Sequence, residues 1–410
     1  MLTLYKMKEI LFLILLFFKS ALYAQQSQEF PLLKGKYLGQ KLPGIVPEVF
    51  APGIVSDTSW WEHCQLAISP KGDEIYWSAW STKYENKNTE QIFYSKLKNG
   101  IWTKPALAEF VKDYLTYDNG GPVFSLDGKK LFFSSKRPGG LGERDVWYVE
   151  RTKAGWGNPL NVGAPYNSTE DDWTPVFTKK GNVYRMGNYY YNKNEKPLSF
   201  KYVNGKFSDP SPVIFHPDFF PWFPIYVSPK EDYVIFTANK ENGFGSLDLY
   251  ISFKTPDGHW GFPINMGNKV NTELLERFPV VSPDGKYLFF MRHTETQDFF
   301  WVSTVFFDNL KKESIQKVNT PPEYKEFILK SEDLDKYLGV YSCPDFNYKI
   351  SFSKEGNILF YKVGESSCPL VCIGKDIFKY KPVITKLEFL PNENKLKIID
   401  GSKIHEAVKE

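Results

Sequence analysis

Short apolar runs separated by Pro, Asp and Gly turns recur along this chain at a nearly constant interval. Five segments align without gaps: SPKGDEIYW from Ser69, SLDGKKLFF from Ser125, TKKGNVYRM from Thr178, SPKEDYVIF from Ser228 and SPDGKYLFF from Ser282. Their spacings are 56, 53, 50 and 54 residues. A period just above fifty, with strands and turn signals inside each unit, predicts a β-propeller rather than a helical solenoid. In each unit an apolar run such as GPVF (Gly121 to Phe124) enters a tight turn, and a second strand such as KLFFSS follows it. That is how a hairpin is encoded.

A third strand comes next: IFYSKL, DVWYVER, LSFKYV, DLYISF or FFWVSTVFF. In four units it leads through a second tight turn to WTKPALAEF, WGNPLNVG, FSDPSPVIF or WGFPINMG. These read as outer strands, where Pro is tolerated because one edge faces solvent. The fifth unit lacks this piece, while a matching segment, IVPEVFAPGIV, stands alone at Ile45 to Val55. The pattern therefore predicts an all-β fold: a five-bladed propeller over Pro43 to Leu310, closed by an N-terminal strand that leaves no open sheet edge. A six-bladed ring, the alternative, needs another block of about fifty residues that the even spacing does not supply.

The stretch PVFSLDGKKLFFSSKRPGGLGERDVWYVER, with NSTEDDWTPVF after it, resembles the TolB-type (WD-like) β-propeller repeat of exported bacterial proteins. The unit at Ser125 carries nearly the whole pattern and those at Ser228 and Ser282 most of it. The units at Ser69 and Thr178 keep mainly the hydrophobic skeleton. The resemblance implies a periplasmic or cell-surface propeller that binds partners. It implies no reaction, since one fold hosts many functions.

After Leu310 the composition turns polar, KKESIQKVNTPPEYKEF, and residues 311–328 read as a linker. Residues 329–410 start afresh as short strands joined by Gly and Asn turns, a small antiparallel β-domain. Its LxxYxGxY shape (Leu334, Tyr337, Gly339, Tyr341) resembles the small β-domain that follows the catalytic domain in some exported β-lactamase-like serine hydrolases. No GxSxG occurs in the chain and no SxxK stands before the tail in a suitable context, so the tail reads as an accessory domain.

Composition sharpens this picture. Phe 34, Tyr 25 and Trp 11 make 17% of the 410 residues, in keeping with half-buried strands. Lys6 and Lys8 precede the apolar run Ile10 to Phe18, and Ala24 offers a small cleavage residue. Residues 1–24 read as a secretory signal peptide and 25–42 as an N-terminal linker. Nine apolar residues ended by Lys19 are too few to cross about 30 Å of hydrocarbon. The expectation is an exported chain, periplasmic or extracellular, with no transmembrane segment after cleavage. Net charge is +3, and beyond residue 24 it falls to 48 basic minus 47 acidic residues, so nothing recommends a nucleic-acid partner. Export permits a disulfide among Cys343, Cys368 and Cys372, but burial as small hydrophobes is as consistent with their placement.

Candidate chemistry gathers just before each inner strand, where a propeller passes over one face near its central channel. By unit this stretch reads Trp60, Trp61, Glu62, His63; Tyr117, Asp118, Asn119; Glu170, Asp171, Asp172, Trp173; Asp218, Phe219, Phe220, Trp222; and Glu276, Arg277, Phe278. Four of the five units place a carboxylate at one register. Carboxylates between aromatic faces suit a sugar, which stacks on Trp while its hydroxyls meet acidic acceptors, or a basic peptide. The TolB-like pattern itself contains an acidic pair here, and it would serve equally to cap turns between blades.

Two functions follow. One is a non-enzymatic propeller that binds an envelope protein, peptide or glycan. The other is a glycan-directed hydrolase using two facing carboxylates about 5 Å or 6.5–9.5 Å apart. No cofactor motif is present. KRPGGLGERD (Lys136 to Asp145) joins antiparallel strands with no helix after it, so it is no phosphate loop. Arg137 and Asp145 are expected to close it as an ion pair. The five His residues are scattered without metal spacing, His63 and His216 alone sharing the expected face.

Overall fold

The computed structural model describes residues 30–57, 60–81, 89–186, 197–213, 215–216, 219, 222–240, 243–256, 258–318, 327, 329–346, 348–363, 366–380, 385–400 and 403–410. The segment read as a signal peptide, the Pro–Pro part of the expected linker, Asp218 and Phe220 lie outside these residues.

Among the described residues the propeller strands fall into five antiparallel sheets. Blade 1 runs Trp60–Ile68, Glu74–Ser81, Glu90–Lys98 and Ile101–Trp102. Blade 2 runs Asn119–Phe124, Lys130–Ser135, Asp145–Thr152 and Gly155–Trp156. Blade 3 runs Val176–Phe177, Asn182–Arg185, Leu198–Val203 and Lys206–Phe207, and blade 4 Trp222–Val227, Tyr233–Ala238, Asp248–Phe253 and Ile264–Asn265. Blade 5 has three strands of its own, Glu276–Val281, Tyr287–His293 and Gln297–Ser303. Its fourth place is taken by Glu48–Val49, which pairs antiparallel with Trp301 and Phe300. The closing strand is the one expected from the sequence. The edge it covers would otherwise expose unpaired N–H and C=O groups.

Aromatic packing holds the closure. Phe50 and Tyr37 from the N-terminal segment set their rings 5.2 and 5.7 Å from Trp301 of blade 5. All three are buried, and burying such a side chain stabilises a fold by roughly 1.5–3 kcal/mol. The ring continues through polar seams. The Trp156 indole N–H donates to the Tyr76 hydroxyl at 2.8 Å between blades 2 and 1. Thr178 Oγ1 meets Glu231 at 2.6 Å between blades 3 and 4, and Thr237 Oγ1 meets the Glu276 carbonyl at 3.3 Å between blades 4 and 5.

The loop between Lys136 and Asp145 does not close as an ion pair. Asp145 accepts from the backbone N–H groups of Leu141 (2.8 Å) and Gly142 (2.9 Å) and from the Asn161 amide (2.8 Å). Arg137 instead reaches Asn119 Oδ1 at 2.8 Å and lies over the Tyr114 ring. A buried carboxylate is satisfied as well by converging N–H donors as by a cation, and glycine permits their approach. A Cβ on Gly140 would stand 2.7 Å from the Asp145 carboxyl. Asp248 repeats the arrangement with Phe244 N, Gly245 N and Asn265.

Beyond blade 5 the chain differs from its expectation. Residues 307–318, assigned to the propeller's end and a polar linker, form a helix, Phe307–Val318. Phe307 packs 5.5 Å from Tyr233, and Ser314 Oγ donates to the Phe262 carbonyl at 2.9 Å, which fastens the helix to blade 4. The polar composition reflects its solvent side.

The tail is an eight-stranded closed barrel, from Gly339–Ser342 to Lys403–Lys409, whose first and last strands pair through Tyr341–Lys409 and Ser342–Val408. Eight strands leave an interior that side chains fill. Tyr337, Tyr341, Phe352, Phe378 and Phe389 fill it, with rings 4.8 to 5.9 Å apart. Leu334, Tyr337 and Tyr341 of the LxxYxGxY shape thus lie in the core. All four cysteines are buried and none is in a disulfide, so Cys343, Cys368 and Cys372 pack as small hydrophobes.

Candidate functional site

The inner strands of blades 1, 2, 4 and 5 enter their blades through a register shift. In blade 2 the step from Gly120 to Val123 spans three residues opposite two, Ser134 to Phe132. Blade 5 does the same between Arg277 and Val280. In blade 1 the step from His63 to Ala67 spans four residues opposite two, Ser78 to Tyr76, so its bulge is one residue longer. The residue just after the last regular pair has positive φ in all three: Gly121 (+61°), Phe278 (+54°) and Cys64 (+63°). Bulges re-aim side chains next to sites.

The expected rim residues divide sharply. Trp60 is 5% exposed and stacks on Trp77 (5.9 Å) and Phe93 (4.4 Å), so it belongs to the core rather than the binding face. Trp61 points the other way, 46% exposed, directly opposite half-buried Trp80. Strand alternation gives neighbouring tryptophans opposite fates. Tyr117 is 38% exposed and Trp173 half-buried. Trp222 lies in the inner strand of blade 4, with its side chain outside the described part.

The carboxylates of the shared register are mostly consumed by the fold. Asp172 is fully buried, ion-paired with Arg185, and accepts from Ser168 N at 2.7 Å. Glu276 is fully buried, accepting from Thr272 Oγ1 (2.6 Å) and Arg292 Nε (2.8 Å); burial still raises its pKa against those bonds. Glu62 is fully buried too, with one long bond from Asp57 N (3.4 Å), and its Oε2 has no hydrogen-bond partner among the described residues. Burial pushes its pKa up to about 9. Asp118 is half-buried, 3.2 Å from Arg144 and accepting from Glu90 N. Asp171 is half-buried, and burial raises its pKa although Arg144 and Lys136 oppose the shift. Arg277 is half-buried and donates to Gln297 Oε1 at 2.6 Å.

His63 sits in a cluster the sequence reading did not assemble. Its Nδ1 lies 3.0 Å from Glu90 Oε1 and 3.1 Å from Cys64 Sγ, and its ring packs on Trp80 (4.7 Å) and on Phe278 of blade 5 (5.3 Å). Burial penalises the Glu90 carboxylate, but His63 and Arg144 outweigh this and hold its pKa down to about 2. Burial pushes the Cys64 thiol well up. Arg144, from the GGLGERD loop, links Glu90 (3.9 Å), Asp118 and the Trp173 ring (5.9 Å). Below them Gln65 Nε2 donates to Thr174 Oγ1 (2.8 Å) and the Gly121 carbonyl (3.3 Å), tying blades 1, 2 and 3 together at the centre. Glu90 begins a third strand, and nothing in its local sequence marks it as central. His216, proposed to share a face with His63, packs against Phe219 and Phe262.

No family model and no curated protein matches the chain. Solved structures similar to it include Kuenenia stuttgartiensis hydrazine synthase, at 10% identity over 62% of this chain and 68% of that one, with a TM-score of 0.35. A putative TolB from Agrobacterium tumefaciens matches at 12% identity over 56% and 69%, TM-score 0.37. A thermostable family-43 glycoside hydrolase matches at 14% identity over 61% and 90%, TM-score 0.38. At these identities and TM-scores no activity passes from them to this chain.

Proposed function

We propose that this protein is an exported, non-catalytic propeller that binds a glycan or peptide of the cell envelope at the rim formed by Trp61, Tyr117, Trp173 and Asp171. The observation that carries this reading is the fate of the shared carboxylates. Asp172 and Glu276 are buried against Arg185 and Arg292, and Glu62 is sealed from solvent, while Trp61 and Tyr117 stay exposed at the same rim. A glycosidase needs an acid and an ionised partner that both reach substrate. An aromatic rim needs only faces on which a ring can stack, with a few polar groups for orientation. No helix among the described residues is long and apolar enough to cross a membrane, and the Lys-flanked apolar start supports export.

The test is a screen of glycan and peptide arrays with the chain from Gln25 onward beside a Trp61→Ala, Tyr117→Ala variant shown to fold. Binding by the parent and at least about a tenfold loss in the variant is the expected result. Equal binding by both would move recognition elsewhere. Cleavage of a bound glycan would replace this reading with the hydrolase.

A further inference from the structure

We propose that His63, Cys64 and Glu90 form a binding site for a divalent transition-metal ion of zinc type, held through Nδ1, Sγ and a Glu90 carboxylate oxygen. The site goes beyond the rim reading and stands on separate residues. The three donor atoms all lie within 4.8 Å of one another. Imidazole, thiolate and carboxylate are the zinc donor set. Tetrahedral coordination with legs of about 2.0–2.3 Å separates ligand atoms by roughly 3.3–3.8 Å. The 3.0 and 3.1 Å separations from Nδ1 therefore need to open by only a few tenths of an ångström.

Hydrogen bonding alone leaves the cluster incompletely satisfied. Nδ1 faces both the carboxylate and the sulfur, and one ring nitrogen either donates or accepts, not both. Glu90 is 0% exposed, yet its Oε2 has no hydrogen-bond partner among the described residues. The nearby Ser78 hydroxyl already donates to the His63 carbonyl at 2.7 Å, and Arg144 Nη1 stands off at 3.9 Å. A buried carboxylate oxygen that has a cation at 3.9 Å but no hydrogen bond is still open to a closer partner.

The backbone is shaped to this end. A Cβ on Gly120 would stand 2.1 Å from Glu90 Oε1, so only glycine there admits the carboxylate. Cys64 adopts φ +63° where blade 2 has glycine at φ +61°. A side chain in that region costs roughly 1–3 kcal/mol, as it also does at Phe278 of blade 5, and in blade 1 it sets Sγ against His63. Trp80 and Phe278 fix the imidazole plane, and the 18% exposure of the His63 side chain leaves a route from solvent. On binding, the thiol proton passes to solvent, a sulfur–metal bond forms, and no oxidation state changes.

The test is a cobalt(II) titration of the metal-free, full mature chain. The expected result is a thiolate-to-cobalt charge-transfer absorption that saturates at one equivalent and is abolished by added zinc. It should vanish in Cys64→Ser, weaken at least about tenfold in affinity in His63→Gln and Glu90→Gln, and persist when Cys343, Cys368 and Cys372 are all changed to Ser. Circular dichroism checks each variant, and the barrel-cysteine variant keeps the test valid should Cys64→Ser fail to fold. No absorption in the folded parent, or absorption lost with the barrel cysteines, overturns the site.

Discussion

Blades 1 and 5 meet at one seam and begin their inner strands alike, each with a buried glutamate, a polar or cationic residue, and then a residue at positive φ. What stands opposite the glutamate differs. Glu276 pairs across the strand with Arg292, whereas Glu62 faces Ala79. In blade 5 the register therefore serves the fold: glutamate, arginine and Thr272 form a closed set. In blade 1 the same position holds a carboxyl with no cation pairing to it among the described residues, next to a longer bulge that gathers His63, Cys64 and Glu90. One blade spends this position on stability. Its neighbour is left with groups able to meet a ligand.

The largest effect is expected from separating the two tryptophans of blade 1. Trp60→Ala opens a cavity in the seam with blade 5 and is expected to cost about 3–5 kcal/mol in denaturant unfolding. Trp61→Ala should stay within about 0.5 kcal/mol, because that ring packs little. Equal losses would mean that the rim is structural. Arg292→Met comes next. It removes the cation from a buried carboxylate and is expected to cost about 3 kcal/mol, measured in the same way. A small loss would show that Glu276 is no more anchored than Glu62. Thr272→Val, which deletes one hydroxyl donor to Glu276 while keeping the side chain's shape, is expected to cost about 1 kcal/mol.

Much of this was legible in the sequence. Five units of turn and strand, recurring every 50 to 56 residues, point to the number of blades, and the orphaned IVPEVFAPGIV marks the closing strand. The acidic register was visible as well, but its use was not. A carboxylate that caps a turn and one that meets substrate look the same until the opposite strand is known, and Arg292 and Ala79 lie 16 and 17 residues away in the chain. Trp60 and Trp61 are adjacent letters with opposite burial, and a bulge moves the alternation. The His63 cluster depends on a third strand that sequence spacing does not bring near. The helix at Phe307 was hidden by its charged, solvent-facing residues.

The most direct measurement is the unfolding free energy of the parent, Glu62→Gln and Glu276→Gln, compared at about pH 6 and about pH 8. Glu62 has its folded pKa raised to about 9 from an unfolded value near 4.3. Its stabilising effect is therefore full below the unfolded value and is lost progressively as pH rises toward the folded one. Glu62→Gln is expected to be at least as stable as the parent and to gain on it from the lower pH to the higher. Glu276 also has its folded pKa raised, but Thr272 and Arg292 oppose the shift, so Glu276→Gln should change less against the parent between the two pH values than Glu62→Gln does. Equal changes with pH in the two variants, or a Glu62→Gln protein that falls further behind as pH rises, would contradict the division of labour between the blades.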